Sequence, residues 1–300
     1  LYLNDGKAKF TKAGENIIPL YQLGMVTSAT FTDIDKDGWT DLIVTGEWMP
    51  VKIFKNNKGK FTVTDQPQST GLWQTVFAAD VNGDGHQDIL AGNWGWNNKF
   101  WAGKNGSLKL YVKDFDLNGS MDQILAYTID KKEYTFLAKD ELERAIPVLK
   151  KAYLNYSEVA GQTVQYMFYD LFKEYKELTA EVLGSSCFMN DGKGNFKRID
   201  LPQELQLAPV FSFSSFNGNT NNYLAGGNFY GTIPYEGRYD ALRPAVFGFD
   251  KSSSGFRVTN SLTAVEGEVR DKKWLNGPGG QKFLVVARNN NRLLFFKTIL

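Results

Sequence analysis

One nine-residue pattern, Asp-x-[Asp/Asn]-x-[Asp/Asn]-Gly-x-x-Asp, occurs three times and constrains this chain more than any other feature. The copies begin at Asp33, Asp80 and Asp114, so they lie 47 and 34 residues apart. Oxygen-bearing side chains at positions 1, 3 and 5 can wrap one ion, and the glycine at position 6 permits a sharp turn. With the acid at position 9, this is the front half of a calcium loop, lacking the distant glutamate of an EF-hand. The candidate ligands of the first loop are Asp33, Asp35, Asp37, the Trp39 carbonyl and Asp41. Those of the second are Asp80, Asn82, Asp84, the His86 carbonyl and Asp88, and those of the third are Asp114, Asp116, Asn118, the Ser120 carbonyl and Asp122. Ten carboxylates packed into three loops repel one another unless cations neutralise them. The pattern therefore predicts about three Ca2+ ions. A worn fourth copy offers Asn217, Asn219 and Asn222 without a carboxylate and is expected to be empty.

A second element alternates with the loops: an apolar strand, a tight Asn/Asp/Gly turn, then phenylalanine. It reads Leu3 to Phe10, Phe54 to Phe61, Phe188 to Phe196 and, more loosely, Phe249 to Phe256. Such turns between β-prone runs are hairpin signals. Each unit then has four strands: A enters the acidic loop, B leaves it, and C and D form the hairpin. Four-stranded units repeating every 35–50 residues or so suit an all-β fold, a β-propeller of four-stranded blades. The spacing places blades near 24–62, 72–112, 112–200, 208–258 and 268–300, with 1–10 as the tail of an earlier one. Residues 137–182 break the pattern. Asp140 and Glu143 read as a capping box ahead of Ala145, Ile146, Leu149 and Ala152, and the Tyr166 to Tyr175 stretch keeps a helical period. The expectation is a helical insertion between strands B and C of the third blade.

Composition narrows the function classes. Hydrophobic residues make up 42% of the chain, which supports a packed core rather than disorder. A net charge of +1 gives no general attraction for nucleic acid. The single histidine, His86, argues against histidine-based catalysis and multi-histidine zinc sites, and the single cysteine, Cys187, rules out an internal disulfide. No apolar run is long enough for a membrane helix, so membrane insertion by this segment is not expected. The chain opens inside a hairpin motif, Leu1 to Gly6, and reads as an excised piece of a longer protein.

With these residues in place, the chain resembles FG-GAP/VCBS-repeat proteins, whose repeats also build the integrin α-subunit propeller. Thr45 to Pro50, Gly92 to Asn97, Gly226 to Gly231, Gly237 to Asp240 and Gly267 to Asp271 are similar to bacterial, Bacteroidetes-type VCBS-repeat proteins associated with ASPIC/UnbV domains. The resemblance implies a propeller with calcium on one rim, in a secreted or surface-attached, hence extracytoplasmic, protein. It implies no particular activity.

In a propeller the A–B and C–D turns share one face and the B–C and D–A loops share the other. Calcium occupies the A–B turns. The B–C loops hold Trp48, Trp94, Trp96 and Asn97, and the fourth blade adds Tyr235, Arg238 and Asp240; these are the candidate ligand-binding residues. Rings beside amides and charges can stack on and hydrogen-bond a glycan or a protein partner. Trp48, Trp94 and Phe229 follow equivalent glycines, so packing between blades competes with that reading. Three functions stay open: a calcium-stabilised binding or scaffold module, a carbohydrate-active lyase or glycosidase using Glu47, Glu236 or Asp240, and a purely structural part of a surface protein.

Overall fold

A computed structural model describes residues 1–14, 17–100, 106–216 and 219–297, with the side chains of 219 and 220 left aside. Asn217 of the worn fourth loop lies outside the described residues. The strands in chain order are β1 (Tyr2–Asn4), β2 (Phe10–Lys12), β3 (Met25–Thr32), β4 (Asp41–Met49), β5 (Lys52–Asn57), β6 (Lys60–Asp65), β7 (Gly71–Leu72), β8 (Thr75–Ala79) and β9 (Asp88–Gly92). They continue as β10 (Leu108–Lys113), β11 (Asp122–Ile129), β12 (Lys132–Thr135), β13 (Lys176–Ala180), β14 (Ser186–Asn190), β15 (Phe196–Asp200) and β16 (Val210–Phe216). The last are β17 (Asn219–Gly227), β18 (Ala245–Asp250), β19 (Gly255–Ser261), β20 (Val269–Asn276), β21 (Lys282–Arg288) and β22 (Leu294–Lys297).

The chain divides into two compact units, residues 1–97 with 183–300, and residues 98–182. In the first unit, antiparallel meanders run β3-β4-β5-β6, β8-β9-β14-β15, β16-β17-β18-β19 and β20-β21-β22, beside the small hairpin β1-β2. Their first strands neighbour one another in the order β3, β8, β16, β20, so the four sheets stack face to face. That stacking explains the strand sequences. A second strand is covered on both faces, and β4 and β9 accordingly begin Asp-Leu-Ile-Val and Asp-Ile-Leu-Ala with every one of these residues buried. The outermost strand β6 is largely exposed and reads Lys-Phe-Thr-Val-Thr-Asp, a polar edge that discourages pairing with another chain.

The core lies between the sheets. Leu90, Val210, Phe213, Tyr223, Ala225 and Phe247 join the second and third sheets, and Leu224, Val246, Val269 and Leu284 the third and fourth. Trp73 is fully buried, meets Phe188 edge-on at 5.7 Å and donates its indole N–H to Ser69 O at 2.7 Å.

The mostly-β character and the four-strand meander hold, but the blade boundaries do not. The repeat spacing puts β14 and β15 in a third blade spanning 112–200; they complete the second sheet instead, β14 pairing with β9 through Ser186–Ala91, Cys187–Leu90 and Phe188–Ile89. The insertion is therefore 98–182, not 137–182, and it enters between β9 and β14 of the second sheet. It is a domain with its own sheet, ordered β12-β11-β10-β13. Helices α1 (Lys139–Ala145), α2 (Leu149–Ala152) and α3 (Val164–Phe168), with the adjoining Ile146, pack Leu142, Leu149, Val164 and Phe168 onto Tyr111 and Ile124 of that sheet and Phe115 of the loop between β10 and β11. The span 137–182 thus includes β13, a strand of the sheet rather than part of a helical segment. The expected capping box at Asp140 is also absent. Ala138 precedes the helix without a side-chain cap, Asp140 accepts from Tyr156 Oη at 2.6 Å, and Glu143 pairs with Lys139. A capping box forms instead at Asn155 and Glu158.

Candidate metal centre

The three acidic loops adopt one conformation, written in the same hydrogen bonds. The carboxylate at position 1 accepts from the glycine amide at position 6: Gly38 N to Asp33 Oδ2 at 3.0 Å, Gly85 N to Asp80 Oδ2 at 2.7 Å, Gly119 N to Asp114 Oδ2 at 2.8 Å. The side chain at position 5 accepts from the amide at position 7: Trp39 N to Asp37 at 2.8 Å, His86 N to Asp84 at 2.7 Å, Ser120 N to Asn118 at 2.8 Å. The aspartate at position 9 accepts from the amide at position 2: Ile34 N to Asp41 at 2.9 Å, Val81 N to Asp88 at 3.0 Å, Phe115 N to Asp122 at 2.9 Å. The backbone is left-handed at position 4 (Lys36 φ 60°, Gly83 φ 74°, Leu117 φ 59°) and again at position 6 (Gly38 φ 86°, Gly85 φ 88°, Gly119 φ 89°). The invariant glycine at 6 sits where a side chain would be strained.

Position 9 does more than close the loop. Asp41 Oδ1 accepts from Asn56 N at 2.7 Å and Asp88 Oδ1 accepts from Asn190 N at 2.8 Å, so each buried aspartate ties its loop to the third strand of the sheet. Asn56 and Asn190 return the tie by donating their amides to Thr40 O at 2.9 Å and Gln87 O at 3.1 Å. Burial pushes the Asp88 carboxyl up to about 6, against the lowering pull of the Asn190 and Val81 amides. Asp41 and Asp122 are raised for the same cause.

Two loops bring three carboxylates together: Asp33, Asp35 and Asp37, and separately Asp114, Asp116 and Asp122, with oxygens within 4.8 Å of one another. Asp33 Oδ1, Asp35 Oδ1 and Asp116 Oδ1 are buried with no hydrogen-bond donor. A buried carboxylate oxygen without a partner is costly. Hard, closely spaced, anionic oxygens of this kind fit calcium, and one ion in each of the two loops would satisfy them. Asp35 Oδ2 faces Lys55 Nζ at 2.7 Å and leaves its inner oxygen available. The second loop differs: Asn82 stands at position 3 and donates to Asp84 Oδ2 at 2.8 Å.

The candidate ligand residues of the first unit separate into two groups. Trp94 is half-buried against the core, edge-on to Phe229 at 5.2 Å and to Tyr239 at 5.5 Å. Trp48 is half-buried at φ 58°, and Asn97 donates to Leu207 O at 3.1 Å. Trp96, Tyr235, Arg238 and Asp240 are exposed; the Trp96 ring lies over Gly184, and the Arg238 guanidinium stacks on Tyr230 at 4.7 Å. Glu47 accepts from Gln74 Nε2 at 2.7 Å.

Sequence reading passed over a cavity of about 480 Å³ along the first strands, lined by Thr30, Thr75, Phe211, Ser214, Lys272 and Trp274 among others. Lys272 is fully buried and donates to Ser212 O at 2.9 Å and Ser212 Oγ at 2.5 Å. Burial lowers its ammonium to about 7. One of two adjacent lysines in a Val-Arg-Asp-Lys-Lys-Trp run carries no sequence signal of burial.

A comparison with curated proteins finds no match. Residues 33–91, which run from the first acidic loop through the second to β9, match the family described as FG-GAP-like repeat, and to that family this segment is similar.

Proposed function

We propose that this chain is a calcium-stabilised, propeller-type binding or scaffold module that works outside the cytoplasm. The observation that carries it is the set of three buried carboxylate oxygens, on Asp33, Asp35 and Asp116, left without donors in loops of one shared conformation. Calcium at the loops is structural in this reading. It holds the turn from first to second strand in each loop, and the stacked sheets are the blades of a propeller. Loops of this kind with a few carboxylates suit the millimolar calcium found outside cells. The finer likeness to VCBS-repeat proteins associated with ASPIC/UnbV domains belongs to this proposal and rests on segments such as Thr45 to Pro50 and Gly92 to Asn97.

A glycan or protein ligand is assigned to the exposed residues Trp96, Tyr235, Arg238 and Asp240, on loops that metal does not use. The test is thermal melting of the chelator-treated protein with and without added calcium. Binding to the folded state alone adds RT ln(1 + [L]/Kd), about 2.7 kcal/mol at a hundredfold excess over Kd. A calcium-dependent rise in melting temperature is expected, and identical melting in chelator and in calcium would refute the proposal.

A further inference from the structure

Lys272 stands in the wall of the cavity along the first strands and is buried there without a counter-charge. An ammonium carries three N–H donors. Two of them go to the Ser212 carbonyl at 2.9 Å and the Ser212 hydroxyl at 2.5 Å. Among the described residues no carboxylate forms an ion pair with Lys272. The charged groups around it are engaged with one another. Arg270 pairs with Glu268 at 2.7 Å and lies over the Phe211 ring at 4.0 Å, and Lys273 faces Asp271 at 3.9 Å. A buried amine in this state is driven toward its neutral form, and burial accordingly lowers Lys272 to about 7.

The rest of the wall presents hydroxyls and a ring. Ser214 lies two residues beyond Ser212 on β16, within a stretch of regular pairing to β17, and so shares its face of the sheet. The Ser214 hydroxyl is buried with no hydrogen-bond partner, which is costly unless something in the cavity meets it. Thr30 of β3 and Thr75 of β8 bring further side-chain hydroxyls to the lining. The Trp274 indole donates to Ser215 O at 3.0 Å, which fixes an aromatic ring in the wall. Asp271 and Lys273 also line the cavity and are exposed, so it opens to solvent. Its volume of about 480 Å³ suits a small molecule.

We propose that this cavity binds a small sugar acid, its carboxylate pairing with the Lys272 ammonium and its hydroxyls meeting Ser214, Thr30 and Thr75. One uncompensated amine matches one negative charge. A carboxylate supplies that charge, whereas a phosphate dianion would leave a second one buried beside aromatic rings. A sugar ring offers both a hydroxyl for the unpartnered Ser214 oxygen and a C–H face for Trp274. Pairing holds the amine protonated, so a proton enters with the ligand wherever the pH lies above 7. None of these residues belongs to the acidic loops, and none is Trp96, Tyr235, Arg238 or Asp240. The site therefore stands independently of whether the loops take calcium.

The experiment is isothermal titration calorimetry of the full chain, in calcium-containing buffer, with glucuronate and galacturonate as probes and glucose and glucose 6-phosphate as controls. At pH 7 at least one sugar acid should bind about tenfold or more tightly than either control. Its affinity should fall by about tenfold or more from pH 7 to pH 9. Heats at pH 8 in buffers of different ionisation enthalpy should report the uptake of about one proton per ligand. Lys272→Met should abolish that uptake and weaken binding by about tenfold or more, and Ser214→Ala should weaken it several-fold. Circular dichroism checks that both variants fold; if Lys272→Met does not, the wild-type proton uptake and pH dependence decide. The inference is overturned if neither sugar acid binds, if glucose or glucose 6-phosphate binds as tightly, or if binding takes up no proton.

Discussion

Asp88 accepts the backbone amide of Asn190 at 2.8 Å across 102 residues of chain. Asp41 makes the same bond to Asn56 over only 15 residues. The two pairs are one structural feature, and the difference between 15 and 102 is the inserted unit. The ends of that insertion are already joined without it, because Gly95 N donates to Leu183 O at 2.7 Å.

Replacing residues 98–182 with a short Gly/Ser linker should therefore leave the sheet unit folded. Far-ultraviolet circular dichroism should keep a β spectrum and denaturant unfolding should stay cooperative. Replacing only 137–182 should fare worse, since it removes β13 and the helices that cover Tyr111, Phe115 and Ile124. If that shorter replacement preserved the insert's hydrogen-exchange protection and the longer one abolished folding, the division of the chain would be wrong.

Asp88→Ala removes the acceptor of two backbone amides, from Val81 and Asn190, at a fully buried position. Leaving two buried donors unpaired should cost about 2–4 kcal/mol in chelator, where metal loss cannot contribute. Asp37→Asn changes a carboxylate in an exposed residue that can still accept from Trp39 N, and should cost well under 1 kcal/mol under the same conditions. Urea unfolding of both variants gives the comparison, and equal midpoints would contradict the tie that Asp88 forms.

These pairs also show how much could be read from the residues. The acidic loops were legible because each is local: nine consecutive residues fix their own backbone through Asp, Asn and Gly, as with Asp33 and Gly38. The hairpins were legible for the same reason. Which hairpin joins which loop was not, because that is decided by pairing of β9 with β14 over a long separation. A signal did exist, since Phe54-Lys-Asn56 and Phe188-Met-Asn190 share an asparagine that β12, reading Lys-Glu-Tyr-Thr, lacks. Trp94 and Trp96 stand two residues apart in equally polar company, yet one packs half-buried against the core and the other is exposed. Only the position of Phe229 and Tyr239 from a distant loop separates them.

Lys272 gives a stability effect that runs opposite to ordinary acid-base intuition. Its folded-state value near 7 lies below the usual 10.5, so between those values the unfolded chain binds the proton that the folded chain has lost. Stability from this group is therefore gained as pH rises above 7 and is lost as pH falls through it. Relative to Lys272→Met, the wild type should gain on the order of 2 kcal/mol between pH 7 and pH 9. Urea midpoints of the two proteins at both pH values measure the gain, and parallel pH profiles would show that the amine is not held neutral.

The central claim is that the loops are calcium sites built on unpartnered aspartate oxygens, and native mass spectrometry of the chelator-stripped protein titrated with calcium tests it most directly. Up to three bound ions should appear in the wild type, with Asp35→Asn and Asp116→Asn each deleting one. A protein that takes up no calcium, or one whose count is unchanged in both variants, would contradict the account.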